Sequence, residues 1–236
     1  MAEPVSSLTT PEELSASFFG LGPEPLAALA DGFELLSLSF SFPSQSLARA
    51  LVDGSFREDL EACLKELGVS DTPDLEIGDD PAELLNAMRR EYSRLYHSPG
   101  KLAVIYPYES AFLFVRRGKG SPTLLANRIT GEVEAAMARA GCLPDTACRE
   151  AVDSVWQECD AMRHMLTQAL ACLLAPVEEG TARADWWLAR AEAFFNEHIA
   201  SWVPAFMDAT MEQARLPVYR SLAEIGNRFL RSSSVV

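Results

Sequence analysis

The stretch AVDSVWQECDAMRHMLTQALACLL, residues Ala151–Leu174, decides the fold. Its large apolar residues recur at steps of three and four, which is typical of one face of an α-helix: Val152, Val155, Trp156, Cys159, Met162, Leu166, Leu170 and Leu173. From Ala161 onward the segment is apolar on nearly all sides and contains neither proline nor glycine. We expect a helix of this composition at the centre of its domain, with Leu166 and Leu170 facing inwards.

A polar stripe runs along the same helix, about a third of a turn away from the apolar face. It consists of Asp153, Gln157, Asp160, His164 and Gln168. We expect this stripe to be exposed and to face whatever the protein binds.

The rest of the chain predicts about eight further helices and no convincing strand. The start signals are a capping serine, a Ser-x-x-Glu capping box, an Asp-Pro pair and two later prolines: Ser44, Ser55 with Glu58, Asp80 with Pro81, Pro204 and Pro217. Another helix is expected from Ser121-Pro122 to Ala140, and loops at 69–80 and 97–110, the second followed by a short apolar run at 111–115. The sequence therefore predicts one all-α domain of about nine helices over 15–230, with flexible ends at 1–14 and 231–236.

Charge and cysteine content limit the possible partners and compartment. The chain of 236 residues carries 34 acidic and 20 basic side chains, for a net charge of −14. Such a surface repels nucleic acid and anionic lipid but attracts cationic partners. Five cysteines without close pairing indicate a reducing compartment. Neither a signal peptide nor an apolar run of membrane-spanning length is evident, so we expect a cytoplasmic protein without stable membrane insertion.

Motifs of catalysis are missing from the sequence. It has no glycine-rich phosphate loop, paired-histidine metal motif or nucleophile elbow. We expect His198, four residues before Trp202, to be a packed and hydrogen-bonded core residue. His164 shares the polar stripe with Asp153 and Asp160, which leaves an acid–base site as an open alternative. We expect no catalytic, cofactor-binding or metal site.

Two segments resemble the signatures of a known family. The first is EYSRLYHSPG, Glu91–Gly100, followed by YPYES, Tyr106–Ser110; the second is DSVWQECDAM, Asp153–Met162. They are similar to the E-Y-x-R-L-F-x-x-P-G…P-P-Y-E-S-V-Y and D-H-x-x-x-E-L-x-F-M signatures of the TorD/DmsD family of molybdoenzyme maturation chaperones. Weaker agreement, including F-x-x-x-H-x-x-x-W near the end, extends the resemblance from about residue 33 to 230. Ser154 stands where that family has histidine, and Val152 and Tyr106 stand where it has proline.

The resemblance implies a helical, cytoplasmic, non-catalytic chaperone without a cofactor. Such a chaperone binds the N-terminal leader, often of twin-arginine type, of the apo catalytic subunit of a molybdopterin oxidoreductase, and holds back export until the cofactor is inserted. Carboxylates would bind the guanidinium groups in a bidentate manner, and an apolar groove would take the apolar run of the leader. The predicted leader-binding residues are Leu95, Tyr96, Tyr106, Pro107, Tyr108, Glu109, Ser110, Asp153, Ser154, Trp156, Gln157 and Glu158.

Within this set, each part of the leader has its own candidates. Asp153, Glu158 and Glu109 are the candidates for the arginines, and Leu95, Tyr96, Tyr108 and Trp156 those for the apolar run. The protein is expected as a monomer or a helix-swapped dimer. Two other functions are compatible with the sequence: a helical adaptor that binds a folded partner surface, and a helical enzyme that uses Asp153, Asp160 and His164.

Overall fold

The computed structural model describes residues 16–69, 73–97, 103–118, 127–144, 150–175 and 180–233. Across these ranges the chain forms ten α-helical segments and one π-helical segment, and no strand. They are α1 (Pro23–Phe40), α2 (Gln45–Asp53), α3 (Ser55–Glu66), α4 (Pro81–Tyr96), α5 (Glu109–Arg116), α6 (Arg128–Ala140), α7 (Val155–Leu174), α8 (Gly180–Phe194), the π segment (Phe195–Ile199), α9 (Ala200–Gln213) and α10 (Pro217–Ser233). Because α8, the π segment and α9 form one uninterrupted run, the described ranges contain nine separate helices, and the all-α prediction is confirmed.

The central position of α7 is also confirmed. It packs extensively against α1 and α8. Leu166 is fully buried, whereas Leu170, which was expected inside, is only half-buried. At that turn of the helix the interior positions belong to Ala169 and Cys172 instead.

A glycine allows α1 to pack closely against α10. Gly32 is buried in the middle of α1, and a Cβ atom placed there would overlap Cε2 of Phe229 in α10. The Phe229 ring is itself held edge-on against Phe33, with ring centroids 5.0 Å apart. A side chain at position 32 would therefore force the two helices apart or push Phe229 out of its place.

Replacing Gly32 with alanine should lower the free energy of unfolding by roughly 1–3 kcal/mol, the usual cost of overpacking a core. Gly131 is a matched control, because it is an exposed glycine in α6 with no atom within 4 Å of an added Cβ. Gly131→Ala should stabilise the protein by about 0.5–1 kcal/mol, since alanine favours helix. Urea unfolding followed by circular dichroism measures both. Changes of the same sign in the two variants would contradict the close packing at Gly32.

The predicted helix starts at Ser44, Asp80 and Pro217 are confirmed, whereas those at Ser55 and Pro204 are not. Ser44 and Asp80 each accept hydrogen bonds from backbone N–H groups of the following helix, as expected of N-caps. The predicted capping box of Ser55 and Glu58 does not form. Ser55 is the first residue of α3 rather than its cap, and its hydroxyl donates to Asp53 Oδ1 at 2.7 Å instead.

Two predicted boundaries are wrong. Residues 109–116 form α5, whereas the sequence predicted a loop up to Ser110 and then a short apolar run. Pro204, expected to begin a new helix, instead lies inside α9. A proline inside a helix costs about 3 kcal/mol. Here the burial of Trp202, Val203 and Phe206 around it offsets that cost.

Several predictions fall wholly or partly outside the described residues. These are the loose start at 1–14, the helix start at Ser121-Pro122, and Cys148. The other four cysteines are free thiols. The helix in that region, α6, begins at Arg128 after its N-cap Asn127, later than the predicted Ser121-Pro122, and ends at Ala140 as expected. Helix α10 runs to Ser233, three residues beyond the predicted end of the domain at residue 230. Among the helices described, none has both the length and the apolarity needed to cross a membrane.

Candidate functional site

The fold brings together the two segments that carry the family-like motifs. Tyr108 and Ser154 form an isolated antiparallel bridge just before α5 and α7. Beside it, the backbone N–H of Glu109 donates to the carbonyl of Asp153 at 2.8 Å. The Asp153 side chain then caps the start of α5, because its Oδ2 accepts from the Ser110 N–H at 3.1 Å. The beginnings of α5 and α7 are thus fixed side by side.

The three carboxylates predicted to bind arginines are buried. Asp153, Glu109 and Glu158 are 1%, 3% and 0% exposed. Asp153 Oδ2 also accepts from the hydroxyl of Thr130 in α6 at 3.2 Å. We refer to these three acids as the carboxylate cluster. Most of its oxygens bond to donors of the protein itself, and the expectation that Asp153 lies on an exposed stripe is wrong.

The partners of the two glutamates come from the π segment and α9. His198 Nδ1 lies 2.9 Å from Glu109 Oε2, and the Ser201 hydroxyl donates to Glu109 Oε1 at 3.3 Å. The indole N–H of Trp202 donates to Glu158 Oε2 at 2.9 Å. These bonds tie α5 and α7 to the α8–α9 run. The predicted core position of His198 is confirmed, since this residue is 5% exposed and hydrogen-bonded.

The electrostatics of the carboxylate cluster favour a protonated acid. Burial raises the pKa of Glu158 well above its usual value, and the negative charges of Glu109 and Asp153 raise it further. Burial also raises the pKa of Glu109, although the hydrogen bond from His198 opposes that change. The side-chain hydrogen bond between Glu158 and Glu109 also favours the protonated form of Glu158. Within the described residues, Asp153 Oδ1 has no hydrogen-bond partner, so it is an acceptor that the fold leaves unused.

Burial divides the polar stripe that was expected to be exposed. Asp153 and Gln157 are buried, His164 and Gln168 are half-buried, and only Asp160 is exposed. The start of α5 and Thr130 of α6 account for the buried end, because they pack over the beginning of α7. A stripe judged from one helix alone cannot show which neighbours cover it.

Most of the predicted leader-binding residues are core residues. Leu95 and Tyr96 are 0% and 3% exposed, and the Tyr96 hydroxyl is bonded to Thr210 Oγ1 at 3.0 Å. Three of the twelve are half-exposed, namely Tyr106, Tyr108 and Trp156, and we refer to these as the aromatic surface. The other buried members are Pro107, Ser110, Ser154 and Gln157.

The aromatic surface lies directly beside the carboxylate cluster. The rings of Tyr108 and Trp156 meet edge to face, with centroids 5.9 Å apart. The Tyr108 hydroxyl donates to Oε2 of the exposed residue Glu150 at 2.9 Å. An accessible carboxylate is thus held at the edge of the aromatic surface, a role that the sequence did not assign to Glu150.

A polar groove lies beside one member of the carboxylate cluster, Glu109. It has a volume of about 590 Å³, lies between α5, α6 and the π segment, and has Glu109, His198 and Ser201 in its lining. Its remaining lining includes three arginines and two further glutamates: Arg117, Arg128, Arg139, Glu132 and Glu197. This mixture of charges does not select a strongly cationic ligand.

The residues of the enzyme alternative do not form a shared site. Asp153 bonds to Ser110 and Thr130, whereas Asp160 Oδ1 accepts from Arg163 Nε at 2.7 Å. The His164 ring contacts Trp187 at a centroid distance of 5.7 Å. In the part of the chain that the structure describes, no hydrogen bond joins these three residues. No group of metal-binding side chains is found there either.

Sequence reasoning missed the partners of the carboxylate cluster, namely Thr130, Ser201 and Trp202. One signal could have found the last of these. The F-x-x-x-H-x-x-x-W pattern near the end of the chain places His198 and Trp202 one turn apart on a helix. Both can bond to a buried carboxylate, and both do.

One protein-family model matches most of the chain. Residues 51–208 match the family model described as "Nitrate reductase delta subunit". The matched range runs from the end of α2 into α9 and includes the carboxylate cluster, its partners and the aromatic surface. No match was found among curated proteins or solved structures.

Proposed function

Because the chain belongs to the nitrate reductase delta subunit family, which consists of molybdoenzyme maturation chaperones, we propose that it binds the N-terminal leader of an apo molybdoenzyme catalytic subunit. In this proposal it acts in the cytoplasm, without catalysis, and assists cofactor insertion before export. The client is of the nitrate-reductase type that the family description names.

One observation carries the proposal beyond the family match. Both motif segments meet at the Tyr108–Ser154 bridge, and the only members of the predicted site that reach the surface there are aromatic. Half-exposed aromatic rings offer a large apolar area with a polar edge, which is typical of binding surfaces. The apolar run of a leader would cover Tyr108 and Trp156, either as a helix or as an extended segment.

We propose Glu150 as the partner of a leader arginine. The buried carboxylate cluster is not accessible to a guanidinium group, whereas Glu150 is exposed and fixed by the Tyr108 hydroxyl. A carboxylate that is already oriented loses less entropy when it pairs with arginine. Asp153 then has a supporting role, because it holds the start of α5 beneath the aromatic surface.

Calorimetric titration with a leader peptide tests this proposal. The probe is the synthetic N-terminal segment of each molybdoenzyme catalytic subunit of the source organism. Trp156→Ala should weaken binding roughly ten- to a hundredfold, as expected for an aromatic anchor. Glu150→Gln should weaken binding of the arginine leader more than binding of a leader with both arginines replaced by lysine, because only arginine forms the bidentate pair with Glu150.

Trp186→Ala is the matched control, because Trp186 is an exposed tryptophan of α8 outside the aromatic surface. Its affinity for the leader should equal that of the wild type. Equal affinities of the wild type and Trp156→Ala would exclude the aromatic surface as the site. Failure of every leader to bind, together with binding of the folded catalytic subunit, would favour the adaptor function.

A further inference from the structure

A second groove lies between α1 and α3, away from the helices that form the aromatic surface. It has a volume of about 640 Å³. The floor of the groove is formed by small or partly apolar side chains, among them Ala27, Ala28 and Ala62. Leu38 lies at one end and is 43% exposed. From Glu24 to Leu38 the groove follows α1 for about 21 Å, at 1.5 Å per residue.

The rim of this groove is entirely acidic. Five exposed carboxylates line it, namely those of Glu24, Asp31, Glu34, Asp59 and Glu66. Within the described chain, no lysine or arginine belongs to this lining. Partial burial and the charge of Asp59 both raise the pKa of Asp31. Burial and the same two aspartates raise the pKa of the Cys63 thiol to about 11.

A cation of the neighbouring helix α7 is already paired with another acid. Arg163 of α7 feels the charge of Glu34, but its guanidinium is bonded to Asp160 Oδ1 at 2.7 Å. The groove thus combines an apolar floor of small residues with an excess of negative charge. Its floor offers space for the side-chain ridge of another helix.

We propose that the α1–α3 groove docks a basic amphipathic helix of a partner protein, about four turns long. The apolar face of that helix packs against the alanines and Leu38, and its lysines or arginines pair with the rim carboxylates. Complementary charge of this kind speeds association and fixes the orientation of the partner. This surface goes beyond the leader-binding proposal and does not depend on it.

Charge disfavours the other occupants of the groove. A second copy of the chain carries the same net charge of −14 and would present the same acidic rim. The first fifteen residues of the chain contain three glutamates and no lysine or arginine. They would therefore be repelled as well, and so would nucleic acid or anionic lipid.

Fluorescence anisotropy tests the proposal with a labelled synthetic helix of about four turns, which has leucines on one face and lysines on both flanks. We expect saturable one-to-one binding that weakens as salt is added. The triple variant Asp31→Asn, Glu34→Gln, Asp59→Asn should weaken binding at least tenfold. A control triple, Glu134→Gln, Asp185→Asn, Glu212→Gln, removes three exposed charges elsewhere and should leave the affinity close to that of the wild type.

Two further variants test the shape of the groove at constant charge. Ala62→Leu fills the floor at an exposed position and should abolish binding. Leu38→Asn should weaken binding, whereas Leu174→Asn, at another exposed leucine, should not. The proposal would be overturned if both triple variants weakened binding of the basic helix equally, or if Ala62→Leu bound it as tightly as the wild type. Either result would mean that the helix is held only by non-specific electrostatic attraction. Trp156→Ala separates this surface from the leader site, because it should bind the basic helix like the wild type.

Discussion

Replacing Leu166 with aspartate is expected to leave the protein unfolded at neutral pH, whereas Leu170→Asp should leave it folded. Leu166 is fully buried in α7, between α1 and α8. An unpaired carboxylate in that place costs several kcal/mol, in addition to about 2–5 kcal/mol of lost apolar packing. The whole domain has only about 5–15 kcal/mol of stability to lose. Far-ultraviolet circular dichroism and urea unfolding measure the outcome.

Leu170→Asp is a matched control because it makes the same chemical change one turn further along the same helix. Leu170 is half-buried, so the new carboxylate can reach water and needs no buried partner. A folded Leu166→Asp variant with nearly normal stability would contradict the central position of α7. Loss of folding in both variants would instead show that the end of α7 is as tightly enclosed as its middle.

The second large effect is expected at Glu158. Glu158→Ala removes the only described acceptor of the Trp202 indole N–H and leaves a cavity beside a fully buried ring. Together these should lower the free energy of unfolding by roughly 2–5 kcal/mol. Glu158→Gln keeps an oxygen for Trp202 and adds no charge, so it should cost much less. Urea unfolding at a single neutral pH compares the two variants with the wild type.

The pH dependence of the stability of Glu158→Gln separates the effect of the Glu158 charge from the effect of its packing. Because the folded state raises the pKa of Glu158, it holds this proton more tightly than the unfolded chain does. The wild type therefore loses stability as the pH rises above the unfolded value of 4.5 and through the folded value. The glutamine variant lacks this loss, so its melting temperature should gain on that of the wild type as the pH rises above 4.5.

The neighbours of Glu158 do not alter the sign of this comparison. Glu109, Asp153 and His198 are present in both proteins, and removal of the Glu158 charge only relieves the repulsion on Glu109. Parallel melting curves across the pH range would show that Glu158 has an ordinary pKa in the fold. A growing advantage of the wild type would mean that it is stabilised as an ion.

Local signals explain what could be predicted from the sequence. The spacing of leucines and methionines in α7, the N-cap Asp80 of α4 and the C-cap Gly141 of α6 depend on neighbouring residues alone. These signals therefore placed α7, the start of α4 and the end of α6 close to their true positions. The burial of polar residues depends instead on distant parts of the chain. Glu109 meets His198 89 residues away, and Glu158 meets Trp202 44 residues away.

The same reasoning explains why the candidate site was only partly predictable. The motif segments were expected to act together, and the structure brings them together at the Tyr108–Ser154 bridge. Their carboxylates were expected to face a ligand, because an acid at helical spacing normally lies on the surface. Here the α8–α9 run supplies the buried donors. Nothing near Asp153 or Glu158 in the sequence indicates that those donors exist.

The π segment at Phe195–Ile199 has a consequence for how this chain is aligned with its relatives. A π turn holds one residue more than an α-helical turn, so everything after it is rotated by about 100° around the helix axis. That phase shift sets the direction in which Trp202 points, and it acts like a single-residue insertion inside a helix. An alignment against a relative with an unbroken α-helix here needs a one-residue gap between Phe195 and Ile199. Without that gap, Trp202 would be equated with the wrong position on the helix.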